Sequence, residues 1–309
     1  MNELITSTST DIREQAIPEF ETTGLLSRMD INQRSRSTYQ RGLLLFIRYC
    51  NENHLQGGKA DIIEYKHHLL SRGLQPATIN LYLSSIRAAY RELTDITGEK
   101  DPSSGVRNAH TAKGWRHNHL TEIQAAALIE KARGNSMRDY ALISLLLFTG
   151  LRTIEASRAD IGDIEYLHGR RILRVHGKGR DSKDEFVILN EDCWAALSSY
   201  LSTRVDARAN SPLFIGARGD RLAETSIGEL AKSYLAMIGL RGREYSAHSL
   251  RHTCACLLYH HGARIEEIQQ VLRHSSITTT MRYLESIKEE ERLARGVETL
   301  LDGVFTDKK

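Results

Sequence analysis

Four side chains that resist burial fall in the stretch "HSLRHTCACLLYHHGARIEEIQQVLRHSSITTTMRYLES", where His248, Arg251, His274 and Tyr283 are separated by 3, 23 and 9 positions. A further arginine, Arg152, stands in "TGLRTIEASRADIGDI", just after an apolar run that stops at Thr149-Gly150, a placement that holds a guanidinium rigidly. Two arginines suit a site that grips a tetrahedral phosphate, because each planar fork supplies two parallel N–H bonds. The rival chemistry is zinc: His248 and His252 stand four apart, and Cys254, Cys256, His260 and His261 follow. No glutamate occupies the usual position between the histidines, and Cys254 and Cys256 would face different sides of a helix. The sequence therefore predicts no metal, with the thiols as buried small hydrophobes.

These residues need elements to hold them. "STYQRGLLLFIRYCNENH", "KADIIEYKHHLLSRG" and "QPATINLYLSSIRAAYRELTDITG" repeat apolar residues at helical spacing and predict a small helical bundle. In its third segment Arg87 and Arg91 lie one turn apart, near Thr78, Asn80 and Ser84, which suits phosphate contact. "EKDPSSGVRNAHTAKGWRHNH" is basic, aperiodic and rich in Pro, Gly and Ser, and so marks a domain boundary. Beyond it, "LTEIQAAALIEKA" and "SMRDYALISLLLFTGLR" predict helices, and "RRILRVHGKGRDSKDEFVIL" predicts a hairpin, with β-branched residues on both sides of a Gly-Lys-Gly-Arg-Asp turn. Residues 1–27, acidic and Ser/Thr-rich without periodicity, predict an unpacked arm.

The set "TGLRTIEA", "HGKGRDSKDEFVIL", "HSLRHTCACLL…G" and "LRHSSITTTMRYL" resembles the tyrosine recombinase (phage integrase) family, with its signature boxes in order over residues 149–284. Residues 35–98 look like that family's core-binding domain. By position, the resemblance implies Tyr283 as nucleophile, Arg152 and Arg251 as phosphate clamps, and Lys178 as general acid. His248 and His274 become hydrogen-bonding or proton-handling partners, and Glu155 matches an acidic position that supports the site. One departure is Arg273, where family members commonly have Gly; it is expected to alter local backbone freedom or to add a phosphate contact.

The implied fold is mainly α with a small β-sheet, an N-terminal helical core-binding domain being followed by a mixed α/β catalytic domain. The expected layout is an arm over 1–27, a DNA-binding domain over 28–104, a linker over 105–119, and a catalytic domain with a C-terminal interaction tail over 120–309. The implied activity is site-specific DNA recombination through a covalent 3′-phosphotyrosyl intermediate, as integration, excision or resolution of a mobile element or replicon. Implied partners are double-stranded DNA with inverted-repeat core sites, a second copy on each site, a tetramer in synapsis, and accessory proteins. No cofactor and no membrane are expected.

Elementary chemistry agrees with these roles. A phenol with a reference pKa near 10 is mostly protonated at neutral pH, so an attacking tyrosine needs nearby positive charge and a proton acceptor. Between the two hairpin lysines, Lys178 fits the general acid, because Lys183 is followed by Asp184 and Glu185 and is expected to be solvated or paired. A DNA-binding regulator that does not cut is the second reading, since "ARIEEIQQVLRHSSITTTMRYL" also scans as helix-turn-helix, but it would need none of Tyr283, Lys178 and Arg152. A type IB topoisomerase is the third. It would have less use for the amphipathic tail "IKEEERLARGVETLLDGVF".

Composition sets the remaining bounds. Net charge is +3, but residues 31–110 hold 11 basic and 7 acidic side chains and residues 111–284 hold 24 and 19, while both ends are acidic. That balance suits a nucleic-acid partner. No apolar run approaches the roughly 20 residues of a membrane span. The N-terminus lacks the basic-then-apolar block of a secretory signal, and four scattered cysteines fit a reducing compartment. The expected location is the cytoplasm of a bacterium or the host of a phage or mobile element.

Overall fold

In the computed structural model the described residues are 19–29, 31, 33–110, 118–176, 182–205 and 207–281, with residues 284, 287, 292, 293, 296 and 299 beyond them. The chain divides into two compact units, Met1–Lys113 and Gly114–Lys309.

The first unit is helical: α1 (Glu19–Arg28), α2 (Gln33–Glu52), α3 (Lys59–Ser71) and α4 (Pro76–Thr97). Leu43, Phe46, Ile47 and Cys50 on α2 and Ile79, Leu83, Ile86 and Ala89 on α4 are buried, the i, i+3, i+4, i+7 stripe of a core-facing helix. Pro76 opens α4, where its missing N–H costs nothing, and Gly98 closes it in the left-handed conformation with its N–H on the Thr94 carbonyl.

Two expectations need correction here. The predicted arm over 1–27 is partly wrong, because residues 19–28 form α1, which packs on α2 and α4 and buries Leu25 and Leu26. Two adjacent leucines supply enough apolar area to dock a short helix that has no sustained period of its own. The predicted linker is also too long at both ends. Val106 and Ala109 join the first core, and Asn80 holds Ala109 by both its carbonyl and its N–H. At the other end, the Asn118 N–H bonds the Glu244 carbonyl and the Leu120 N–H bonds Thr253 Oγ1, both inside the second unit.

The second unit contains α5 (Glu122–Arg133), α6 (Met137–Thr149), α7 (Thr153–Arg158), β1 (Ile164–Leu167), β2 (Arg170–Val175), β3 (Glu185–Ile188), α8 (Glu191–Leu201), α9 (Glu224–Met237), α10 (Ala247–His260) and α11 (Ile265–Leu272). Apolar on every side, α6 is the buried centre, against which α5, α8 and α10 pack. The strands form one antiparallel sheet in the order β1-β2-β3, with Ile164 opposite Leu173, Leu173 opposite Val187 and Val175 opposite Glu185. The hairpin β2–β3 was legible in the sequence; β1 was not, being a four-residue strand with only partial burial. A separate cluster joins Ala255 and Cys256 of α10, Ile268 and Leu272 of α11, and Leu284 and Ile287. Among the described residues, no helix is long and apolar enough to cross a membrane.

Candidate active site

Gly150 ends α6 with φ +60°, and a Cβ there would lie 2.5 Å from Leu272 Cδ2 and 3.4 Å from Cys254 Sγ. Only glycine allows α6, α10 and α11 to approach this closely. Two residues on, Arg152 caps α7. Its N–H donates to Glu155 Oε2 at 2.8 Å and its Nη1 to Glu155 Oε1 at 2.7 Å. A glutamate three residues into a helix satisfies an N-terminal N–H in this way, and here the same carboxylate also fixes the guanidinium. Glu155 is 2% exposed. Burial pushes its carboxyl up, but the charges of Arg273 and Arg152 and the Arg152 N–H outweigh that and hold it below the ordinary value.

The second arginine comes from α10. Ser246 caps that helix by accepting the His248 N–H, which leaves His248 exposed in the first turn and Arg251 one turn inward at 2% exposure. The Arg251 Nη1 donates to the Gly150 carbonyl and its Nη2 to the Leu272 carbonyl. These carbonyls stand at the C-terminal ends of α6 and α11, where the helix dipoles favour a cation and offset part of the cost of burying one.

His274 is the second residue after α11, next to its cap Arg273. Its N–H bonds the Gln269 carbonyl at 3.1 Å, its carbonyl accepts from Gln269 Nε2 at 3.0 Å, and its Nδ1 lies 2.9 Å from Thr280 Oγ1. Burial first, then the charges of Arg251, Arg152, His248 and Arg273, push its pKa down to about 3. His274 is therefore neutral at pH 7. When Thr280 donates to Nδ1, the neutral ring carries its proton on Nε2 and becomes a donor there. The same electrostatic coupling places Arg152, His248, Arg251 and His274 in one neighbourhood, although the cap of α7, α10 and the second residue after α11 supply them from distant parts of the chain.

Tyr283 and Lys178 lie outside the described residues. Thr280 and Leu284, neighbours of Tyr283 along the sequence, are fully buried. Lys183 donates to Asp160 at 2.9 Å and to Asp163 at 2.6 Å. Partial burial lowers its pKa, but the hydrogen bonds and charges of Asp163 and Asp160 prevail and raise it, so this lysine holds its proton, as its expected pairing implied.

Arg273 adopts the left-handed conformation, φ 53° and ψ 48°, without being glycine. Of the two expected effects, altered backbone freedom or an added phosphate contact, the left-handed backbone matches the first, and the side chain turns inward to an ion pair with Glu155 at 2.6 Å. Arg87 donates from Nη1 to Asn108 Oδ1 and from Nη2 to the Val106 carbonyl, which makes it a strut for residues 106–108. Arg91 is exposed on α4. Leu293, part of the predicted tail, is 77% exposed, while Val297, Leu300 and Leu301 lie outside the described residues.

Sequence reasoning missed Gln269 and Thr280, the supports of His274, since neither stands at a spacing that marks it. It also missed His119, which joins His252 and Cys256 in a group whose potential ligand atoms lie within 4.8 Å of one another. That limit is wider than the roughly 3.3–3.8 Å between ligands of a tetrahedral zinc shell. The two imidazoles meet edge-on at 5.3 Å, as packed rings also do.

The phage integrase family model matches residues 118–290, and the model of the phage integrase N-terminal SAM-like domain matches residues 22–95. The chain is 29% identical over 270 residues to a tyrosine recombinase XerC of Pelobacter propionicus, covering 84% of this chain and 87% of that one. In fold it resembles a XerH site-specific recombinase bound to a palindromic difH substrate in a post-cleavage complex, with a TM-score of 0.73 and 20% identity over 92% of this chain and 90% of that one. It also resembles a lambda integrase dimer bound to a COC′ core site, with a TM-score of 0.65 and 16% identity over 84% of this chain and 94% of that one. The protein with this buried arginine and histidine site belongs to the phage integrase family of tyrosine recombinases, enzymes that catalyse site-specific DNA recombination.

Proposed function

We propose that this chain recombines duplex DNA with Tyr283 as the nucleophile, in the cytoplasm, as a dimer on each inverted-repeat site and a tetramer in synapsis. The tyrosine oxygen attacks the phosphorus and forms a 3′-phosphotyrosyl ester as the bond to the 5′ oxygen breaks. The phenolic proton passes to His248, and Lys178 protonates the departing 5′ oxygen. A 5′ hydroxyl from a second strand then attacks the ester and restores Tyr283, so no high-energy cofactor is consumed.

The observation that carries this reading is the fixed donor set: Arg251 on two helix-end carbonyls, Arg152 on Glu155, and His274 held neutral. Negative charge develops on the nonbridging oxygens during displacement, and each preorganised donor at such a place is worth roughly 3–4 kcal/mol. A DNA reader that does not cut has no use for two buried donors and a third fixed on a buried carboxylate. The helical first unit supplies further duplex contacts, with Arg91 as the exposed candidate.

The test is capture of the wild-type protein on a nicked duplex that loses its 5′ fragment after cleavage. Wild type accumulates a covalent adduct that maps to Tyr283. Tyr283→Phe binds the same duplex and forms none. Adduct on another tyrosine, or undiminished adduct in the variant, overturns the assignment.

A further inference from the structure

We infer that Arg273 is a positioning residue for strand cleavage, closing a ring of charged groups that fixes Arg152 and ties it to the hairpin strand β3. The inference rests on the reading of Arg152 as a phosphate clamp. Arg152 Nη1 bonds Glu155 Oε1, Glu155 Oε2 bonds Arg273 Nη2, and the Arg273 carbonyl lies 3.5 Å from Arg152 Nη2. The side chain is 6% exposed, its Nη1 donates to the Val271 carbonyl, and its Nε stands 3.4 Å from Glu185 Oε2 in ion-pair contact. Glu185 is the first residue of β3 and pairs with Val175, the last of β2, so it sits where the hairpin connection containing Lys178 begins and ends.

Three features separate this from an incidental surface pair. Arg273 is one of three non-glycine residues with positive φ among the described residues, and the other two, His54 and His168, make no ion pair with a site residue among the described contacts. A left-handed conformation is unfavourable for a residue that carries a Cβ, so something must hold it. Its guanidinium is nearly buried beside a carboxylate that is itself 2% exposed, and removing one partner of such a pair leaves the other uncompensated. The ring also joins the start of α7 to the residue after α11, and the ion-pair contact of Arg273 with Glu185 extends it to β3.

Arg273 therefore acts on cleavage through Glu155, and a glycine in its place removes the ring while suiting the backbone. In the full chain, Arg273→Gly should bind the nicked duplex within about threefold of wild type, while single-turnover cleavage falls about 10- to 100-fold, the scale of a misplaced clamp. Glu155→Gln should lose a similar amount. Adding Arg273→Gly to Glu155→Gln should cost no more than about threefold further, because both act through one contact. Arg273→Lys, which keeps the charge and loses the fork, should recover part of the rate.

Cleavage by Arg273→Gly within threefold of wild type overturns the inference. A full additional loss in the Glu155→Gln background does so too, because Arg273 would then act on the DNA directly. Should the glycine variant fail to fold, the comparison of Arg273→Lys with Arg273→Lys/Glu155→Gln carries the same test. If wild type forms no adduct, the reading of the site itself has failed.

Discussion

Replacing His274 with glutamine tests whether this ring is a neutral donor. The unfolded imidazole titrates at 6.5 and the folded one at about 3. Between those values the unfolded chain binds a proton that the folded chain refuses. The stability tied to this group is therefore complete above pH 6.5 and is lost as pH falls, until both forms protonate near pH 3. From pH 7.5 to pH 5 the loss is about 2 kcal/mol, because each unit of pKa difference is worth about 1.4 kcal/mol once titrated. Glutamine keeps an N–H donor and does not titrate. Urea unfolding of both proteins at the two pH values gives a double difference in which the remaining histidines and carboxylates cancel. Wild type should lose about 2 kcal/mol more than His274→Gln. Equal losses, or a nuclear magnetic resonance titration that places His274 near 6.5, would refute the exclusion of the protonated ring by its surroundings.

Gly150→Ala places a Cβ 2.5 Å from Leu272 Cδ2 at positive φ and should destabilise the second unit by about 1–3 kcal/mol while displacing the carbonyl that holds Arg251; an unchanged melting temperature with full cleavage would contradict the packing argument. Arg87→Ala should destabilise the first unit by about 1–2 kcal/mol and leave the salt dependence of DNA binding unchanged, whereas a phosphate ligand would flatten the log–log slope by roughly 1 with no change in melting. Lys183→Ala should cleave a duplex with a normal 5′ bridging oxygen and one with bridging sulfur equally well relative to wild type. Lys178→Ala should be slow only on the oxygen substrate, since a thiolate leaves without a proton; rescue by sulfur of Lys183→Ala instead would exchange the two roles.

What the sequence determined by itself was whatever depends on neighbours along the chain. The stripes of α2 and α4, the Gly-terminated α6 and the β2–β3 hairpin are written in local period and turn chemistry. The four boxes that carry Arg152, Lys178, His248, Arg251, His274 and Tyr283 were, taken together, enough to name the family. Tertiary structure decided the roles that depend on which distant groups meet. Nothing in "LRHSS" says that Arg273 turns toward Glu155, 118 positions earlier, because a charged residue is taken as solvent-facing until a buried partner is known. Arg87 has the sequence of a phosphate ligand and becomes a strut because residues 106–108 fold back to it. Residues 19–28 lack a period yet form a helix because α2 and α4 offer a surface for Leu25 and Leu26. His274 is neutral because burial and surrounding positive charge are properties of the assembled site, which no window of sequence contains.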